Sequence, residues 1–236
     1  ELERQFEAVM RQTEQESAGQ VRIGIAQRRA IWFLPAVLSV YERERPQGDV
    51  VIREGNLADL TIMLKNRELD LVVLSQSDVT SEMETIPLGM EDFLLMVSGD
   101  HPLNEKAVPV ESSKFDFLDP HLLSGETIFL NTEMQSARRV EEKILKDYKV
   151  KPGRIRVVRN MELGAQLVAE GLGVGFIRQG YQKNIHYPKP VKYYTIDSSK
   201  YGQNVVVAYR QDVELTKPMR AMIMQMKDAA EEYLGF

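Results

Sequence analysis

Apolar positions along the chain recur with two periods in turn, and that alternation lays out most of an architecture. In VRIGIA (21–26), Val21, Ile23 and Ile25 recur at every second residue, the spacing of a strand with a buried face. Ile31, Leu34, Leu38 and Tyr41 follow at helical spacing and predict a helix over about 29–44. Arg45-Pro46 ends it, because proline pushes the preceding residue out of helical geometry. DVVIR (49–53) predicts a second strand and Gly55-Asn56 a turn and helix cap. Leu57, Leu60 and Leu64 share one face of a helix over 57–67, with Asp59 placed to favour its start. LDLVVL (69–74) is almost unbroken apolar, as a parallel strand covered on both faces requires. The order β-α-β-α-β with short turns implies right-handed crossovers and an open sheet.

A second block repeats the scheme. FLLMV (93–97), TIFL (127–130), RIRVV (154–158), GVGFI (173–177) and NVVVAY (204–209) predict strands, the last of them closing the second sheet. Asn131-Thr132 with Gln135 predicts a capping box, and Ala137, Val140, Ile144 and Tyr148 carry the helix behind it. MELGAQLVAEG (161–171) predicts another helix. The last segment predicts a helix capped by Thr216, with Pro218 near its first turn. Met219, Met222, Ile223, Met226, Ala230 and Tyr233 form its buried stripe, the methionines as core filler. Near the N-terminus, Leu2, Phe6, Val9, Met10 and Thr13 form a short stripe close to coiled-coil spacing, expected as the tail of a longer helix. Two α/β units joined around 89–92 and 208–213, with the final helix returning to the first, predict two Rossmann-like lobes with a central ligand cleft.

Charge and chemistry narrow the function. Thirty basic and 35 acidic side chains leave a net charge of −5, which argues against a general nucleic-acid or anionic-membrane binder. Without cysteine there is no disulfide framework, thiolate nucleophile or thiolate metal site. No apolar run approaches the ~20 residues of a membrane span. The chain starts at Glu1 rather than Met and is expected to be a fragment or a processed product. GLGVG (171–175) follows a helix and opens a strand, the reverse of a dinucleotide fingerprint, and reads as a helix C-cap and close-packed turn. His101, His121 and His186 make no metal-ligand spacing, and His101, in a turn, reads as structural. Acids such as Glu141-Glu142 and Glu231-Glu232 read as solvated helix faces. No residue set carries a reaction, so neither an enzyme nor a cofactor or metal is expected.

What remains is a set of helix starts at strand ends, where open α/β sheets bind ligands. Gln27, Arg28 and Arg29, then Asn56, then Ser75 and Gln76 follow the strands of the first unit. Thr132, Met134 and Gln135, then Asn160 and Met161, follow those of the second. Exposed N–H groups and the helix dipole favour anions there, and arginine adds bidentate recognition of a carboxylate or sulfate. These residues are the expected effector-binding set, and the expected ligand is small and anionic.

VRIGIA, FLPAVLSVYERERP, VVIREGNLADLTIMLKNRELDLVVL and PLGMEDFLLMVSGDHPL, in that order, resemble the effector-binding domain of LysR-type transcriptional regulators. ETIFLN and MELGAQLVAEGLGVGFI fit the same family, and the resemblance runs from about residue 21 to the final helix. It implies a periplasmic-binding-protein type II-like α/β fold. Residues 1–20 would end a linker helix, 21–91 with 211–236 would form lobe I, and 92–210 lobe II. It further implies a small effector in the interlobe cleft and side-by-side antiparallel homodimerisation through the first lobe. The full-length regulator would be a tetramer that meets promoter DNA through an upstream winged helix-turn-helix, in the cytoplasm and away from the membrane. Relatives often place a Ser or Thr near the start of the first lobe's helix, where this chain has Gln27-Arg28-Arg29-Ala30. A solute-binding protein of a transport system, or an enzyme of the same bilobal shape, is the alternative.

Overall fold

The computed structural model describes residues 19–111, 113–133, 135–182 and 185–234; the stripe expected over 2–13 lies outside them. The elements run β1 (Val21–Ile25), α1 (Gln27–Glu44), β2 (Val50–Glu54), α2 (Leu57–Lys65), β3 (Leu71–Ser75), β4 (Met83–Glu91) and β5 (Phe93–Ser98). They continue with β6 (Thr127–Asn131), α3 (Ser136–Asp147), β7 (Arg154–Val158), α4 (Met161–Ala169), β8 (Val174–Arg178) and α5 (Gln179–Gln182). Last come β9 (Val191–Tyr194), α6 (Ser198–Tyr201), β10 (Gln203–Arg210) and α7 (Lys217–Leu234). The chain divides into a first unit, up to Met90 and again from Asn204, and a second unit, Glu91–Gln203.

The first unit is built on a sheet of order β2-β1-β3-β10-β4. β1 pairs in parallel with β2 and β3, placing Ile23 beside Ile52 and Leu71. β3 is buried along its whole length, as its unbroken apolar run requires. β10 runs antiparallel to β3, with Val207 opposite Val73. NVVVAY therefore closes the first sheet, a correction to the expectation that it closes the second. Val205 to Ala208 are all buried, which suits an interior place between β3 and β4. α2 seats Leu60 and Leu64 on Leu69, Val72, Leu74 and Ala208. α1 and α7 pack together and bury Trp32, Phe33, Val37 and Tyr41 from one helix, and Met219, Met222 and Met226 from the other. The methionines are core filler, as their spacing predicts.

The second unit is built on a sheet of order β7-β6-β8-β5-β9. β6 is parallel to β7 and β8, while β5 is antiparallel to β8 and β9. Successive β5 residues serve different cores: Leu95 joins Ile128, Leu130, Ile144 and Phe176, whereas Leu94 and Met96 join Phe129, Ala165, Val168 and Ile177. The glycines after α4 do what their order implies. Gly171 has φ +75, and a Cβ on Gly173 (φ +152) would stand 2.3 Å from the Thr127 carbonyl oxygen. They end a helix and let two backbones approach.

Candidate functional site

In the first unit β1, β2 and β3 are adjacent and parallel, so the residues after their carboxyl ends share one edge of the sheet. Gln27, Arg28 and Arg29 occupy the first turn of α1, two residues earlier than the expected helix start. Gln27 is exposed, Arg28 half-buried and Arg29 only 5% exposed. The N-cap is Ala26, which offers no capping side chain, and the first turn carries no acid. Asn56, by contrast, closes the start of α2 itself. Its Oδ1 accepts from the Asp59 N–H at 3.0 Å, and its Nδ2 donates to the Asp59 carboxylate at 2.7 Å. Ser75 is buried at the last residue of β3, and Gln76 is exposed in the single 3-10 turn that follows.

The second unit repeats this arrangement at the ends of β6 and β7. Thr132 is half-buried just beyond β6, and Met134 lies outside the described residues. The capping box expected over 131–135 is not formed. The Gln135 N–H donates to the Thr132 carbonyl (3.0 Å) in a turn, and α3 starts only at Ser136. Gln135 takes the N-cap place without capping, because its Nε2 donates to the Arg159 carbonyl at 3.0 Å. Asn160 caps α4, accepting from the Glu162 N–H at 2.8 Å. Met161 is buried in the core with Ala165 and Ile177.

A buried polar group beneath these strand ends escaped the sequence reading. Glu141, read there as solvated helix surface, is 0% exposed. It accepts from the Asn131 backbone N–H at 2.8 Å and from the Asn131 side-chain amide. Arg138 donates to the Asn131 carbonyl at 2.7 Å and to Glu142 at 2.8 Å. Burial pushes the Glu141 carboxyl above its ordinary range, against the opposing pull of the Asn131 hydrogen bonds and of Arg138 and Arg178. Arg178, at the end of β8, stands 3.6 Å from the equally buried Glu91. The register held a clue to Glu141, which lies four residues after Ala137 and three before Ile144, on the buried stripe itself.

The helix starts therefore fall into two kinds. α2 and α4 carry an asparagine cap and an acid in the first turn, so each supplies its own negative partner. α1 and α3 have neither, and both place adjacent arginines, Arg28-Arg29 and Arg138-Arg139, next to the positive helix end. Among the described residues, no group of three or more His, Cys, Asp or Glu could hold a metal ion. His101 is structural, as its turn suggested: its Nδ1 accepts from the Leu103 N–H at 3.2 Å.

Two mixed sheets with helices, each sheet presenting helix starts at its parallel strand ends, define an α/β protein of the type II periplasmic-binding-protein-like class. Similar structures include the BenM effector-binding domain with its effector benzoate (TM-score 0.75, 20% identity, 92% of this chain and 94% of that one). The reduced OxyR regulatory domain from Pseudomonas aeruginosa is similar too (TM-score 0.72, 20% identity, 88% and 97%). The model of the LysR substrate binding domain matches residues 14–231, and the chain belongs to this family. Among curated relatives, it is 26% identical over 160 residues to the HTH-type transcriptional regulator CbbR of Rhodospirillum rubrum, across 68% of this chain and 49% of that protein. It is 21% identical over 202 residues to the uncharacterized regulator YvbU of Bacillus subtilis, across 85% and 61%. The chain thus spans about half the length of the curated relatives it matches.

Proposed function

We propose that this domain senses a small anionic effector at the strand carboxyl ends and transmits its binding to promoter DNA through the rest of a longer, cytoplasmic regulator. One observation carries the choice of an anion: α1 and α3 begin uncapped and acid-free with paired arginines, while α2 and α4 are closed by their own caps. Of the effector-binding set, this favours Gln27, Arg28, Arg29, Ser75, Thr132 and Gln135 as contacts, and it gives Asn56, Asn160 and Met161 supporting roles. A ligand that prefers one arrangement of the domain shifts the population towards it, which is all that regulation requires. The proposal extends to a homodimer, assembling into a tetramer at full length. In its support, the edge strands β2 and β7 leave Ile52, Ile155 and Val157 exposed beside unpaired backbone groups, a ready surface for a second copy.

A thermal-shift panel of carboxylates, phosphates, amines and neutral metabolites tests the reading. A saturating anion at about a hundred times its Kd should stabilise the fold by about 2.7 kcal/mol. Arg28→Ala should weaken that anion about tenfold, the loss of one charge-assisted contact. Stabilisation by amines alone, or an Arg28→Ala variant that binds the anion unchanged, would overturn the anionic assignment.

A further inference from the structure

The first unit holds a cavity of about 330 Å³ whose walls include Leu64, Lys65, Glu82, Met83, Arg210 and Asp212. Lys65 ends α2, Glu82 and Met83 lead into β4, and Arg210 ends β10. Because β10 is antiparallel to β3, with Ala208 opposite Val72, the cavity lies by the amino end of β3. That is the opposite edge of the sheet from Arg28 and Ser75. Its size is at the lower end of ligand pockets, which run to roughly 300–1,000 Å³.

The charges facing this space come in both signs. Lys65 Nζ is 3.3 Å from Glu82. Arg210 grips both carboxylate oxygens of Asp212 at 2.8 Å, and Arg67 reaches Asp212 at 3.1 Å. The Gln211 N–H donates to the Glu82 carbonyl at 3.2 Å and ties the two rims together. Lys65 and Glu82 are each more than 60% exposed, and a pair of that kind contributes about 0–1 kcal/mol. An incoming carboxylate and ammonium can exchange with Lys65 and Glu82 at little loss, while Arg210 and Asp212 keep their two-point contact and Leu64 and Met83 stand among the apolar lining.

We infer that this cavity binds a small zwitterion, an α-amino acid with an apolar side chain. Its carboxylate lies against Lys65 and Arg210, its ammonium against Glu82 and Asp212, and its side chain on Leu64 and Met83. L-Leucine is the probe, titrated into the 236-residue chain carrying ¹³C-methyl methionine and read at the Met83 methyl. A saturable shift is expected. N-acetyl-L-leucine, which lacks the cation, and L-leucinamide, which lacks the carboxylate, should each bind about tenfold more weakly. Lys65→Met and Glu82→Gln should each weaken L-leucine by a similar factor, and both sites are exposed enough to leave the fold intact. The inference is overturned if L-leucine gives no saturable shift at Met83, if a blocked derivative binds as tightly, or if either variant keeps the parent affinity.

Discussion

The two units start from the same plan, parallel strands that deliver helices to one sheet edge, yet they support that edge differently. Among the described residues of the first unit the buried polar ones are few: Arg29 and Ser75. In the second, Glu91, Asn131, Glu141, Arg178 and Gln179 are all buried at or just beneath the strand ends. A buried charge is tolerable only when hydrogen-bonded or paired, and Glu141 meets that condition through both donors of Asn131. The second edge is thus fixed from below by polar contacts, and the first mainly by apolar packing. One topology thus holds the edge at its parallel strand ends by two physical means.

Substitutions in the two units put this contrast to the test. The largest effect is expected from Gly173→Ala. Its Cβ would meet the Thr127 carbonyl oxygen at a φ that side chains avoid, destabilising the chain by about 3 kcal/mol or more in urea unfolding. Gly24→Ala in the first unit should do less, about 1–2 kcal/mol, because the nearest atom is the movable end of Leu69. Between these two falls Glu141→Leu, which leaves both Asn131 donors without their acceptor. A loss of about 2–3 kcal/mol is expected, with hydrogen exchange accelerated in β6 and α3 before β1 and β3.

Smaller effects separate the two kinds of helix start. Asn160→Ala should destabilise by about 1 kcal/mol through loss of the bond to Glu162. Ala26→Asn should act in the opposite sense and stabilise by a few tenths to about 1 kcal/mol, since Ala26 already has the extended geometry of a cap. The same change should weaken the effector anion, because the new side chain takes N–H groups that the anion would use. If it neither stabilises nor weakens anion binding, the start of α1 is not the receptor proposed. The smallest expected effect is a pH slope. Burial raises the Glu141 carboxyl, so the folded state keeps that proton to higher pH than the unfolded chain does. Its contribution is complete below the unfolded pKa and is lost as pH rises through the folded one. Glu141→Gln should flatten the slope of unfolding free energy just above the ordinary carboxylate range.

The sequence made the interior of this fold legible and its margins only in part. β1, β3, β6 and β8 carry long apolar patterns because both their faces are covered, and all were predicted within a residue or two. β4 and β9 were not; both are edge strands, but so are β2 and β7, which their β-branched runs VVIR and RIRVV gave away. Pro87 interrupts β4, as an edge strand allows. β10 was found but given to the wrong sheet, because a buried apolar run states that it is covered and not by which partner. At the site, helix starts could be read from Asn and Arg, but the burial of Arg29 and Glu141 depends on packing that short-range spacing does not encode. The LysR resemblance, carried by the order of its motifs, is what turned an α/β reading into a regulator.

The late arrival of β10 also has a bearing on how the protein is made. The second unit is one unbroken stretch of chain, Glu91–Gln203, whereas the first is completed only by residues that come after it. β4 joins the first sheet solely through β10, so it has no strand neighbour until Asn204 onward has been synthesised. α1 likewise waits for α7 to cover Trp32 and its neighbours. On the ribosome, therefore, the second unit is ready to fold first, and the first keeps an unfinished sheet edge until Asn204 and the residues after it have been made. A chain truncated near residue 203 should retain a folded second unit and lose the first, a result that limited proteolysis of stalled chains can read directly.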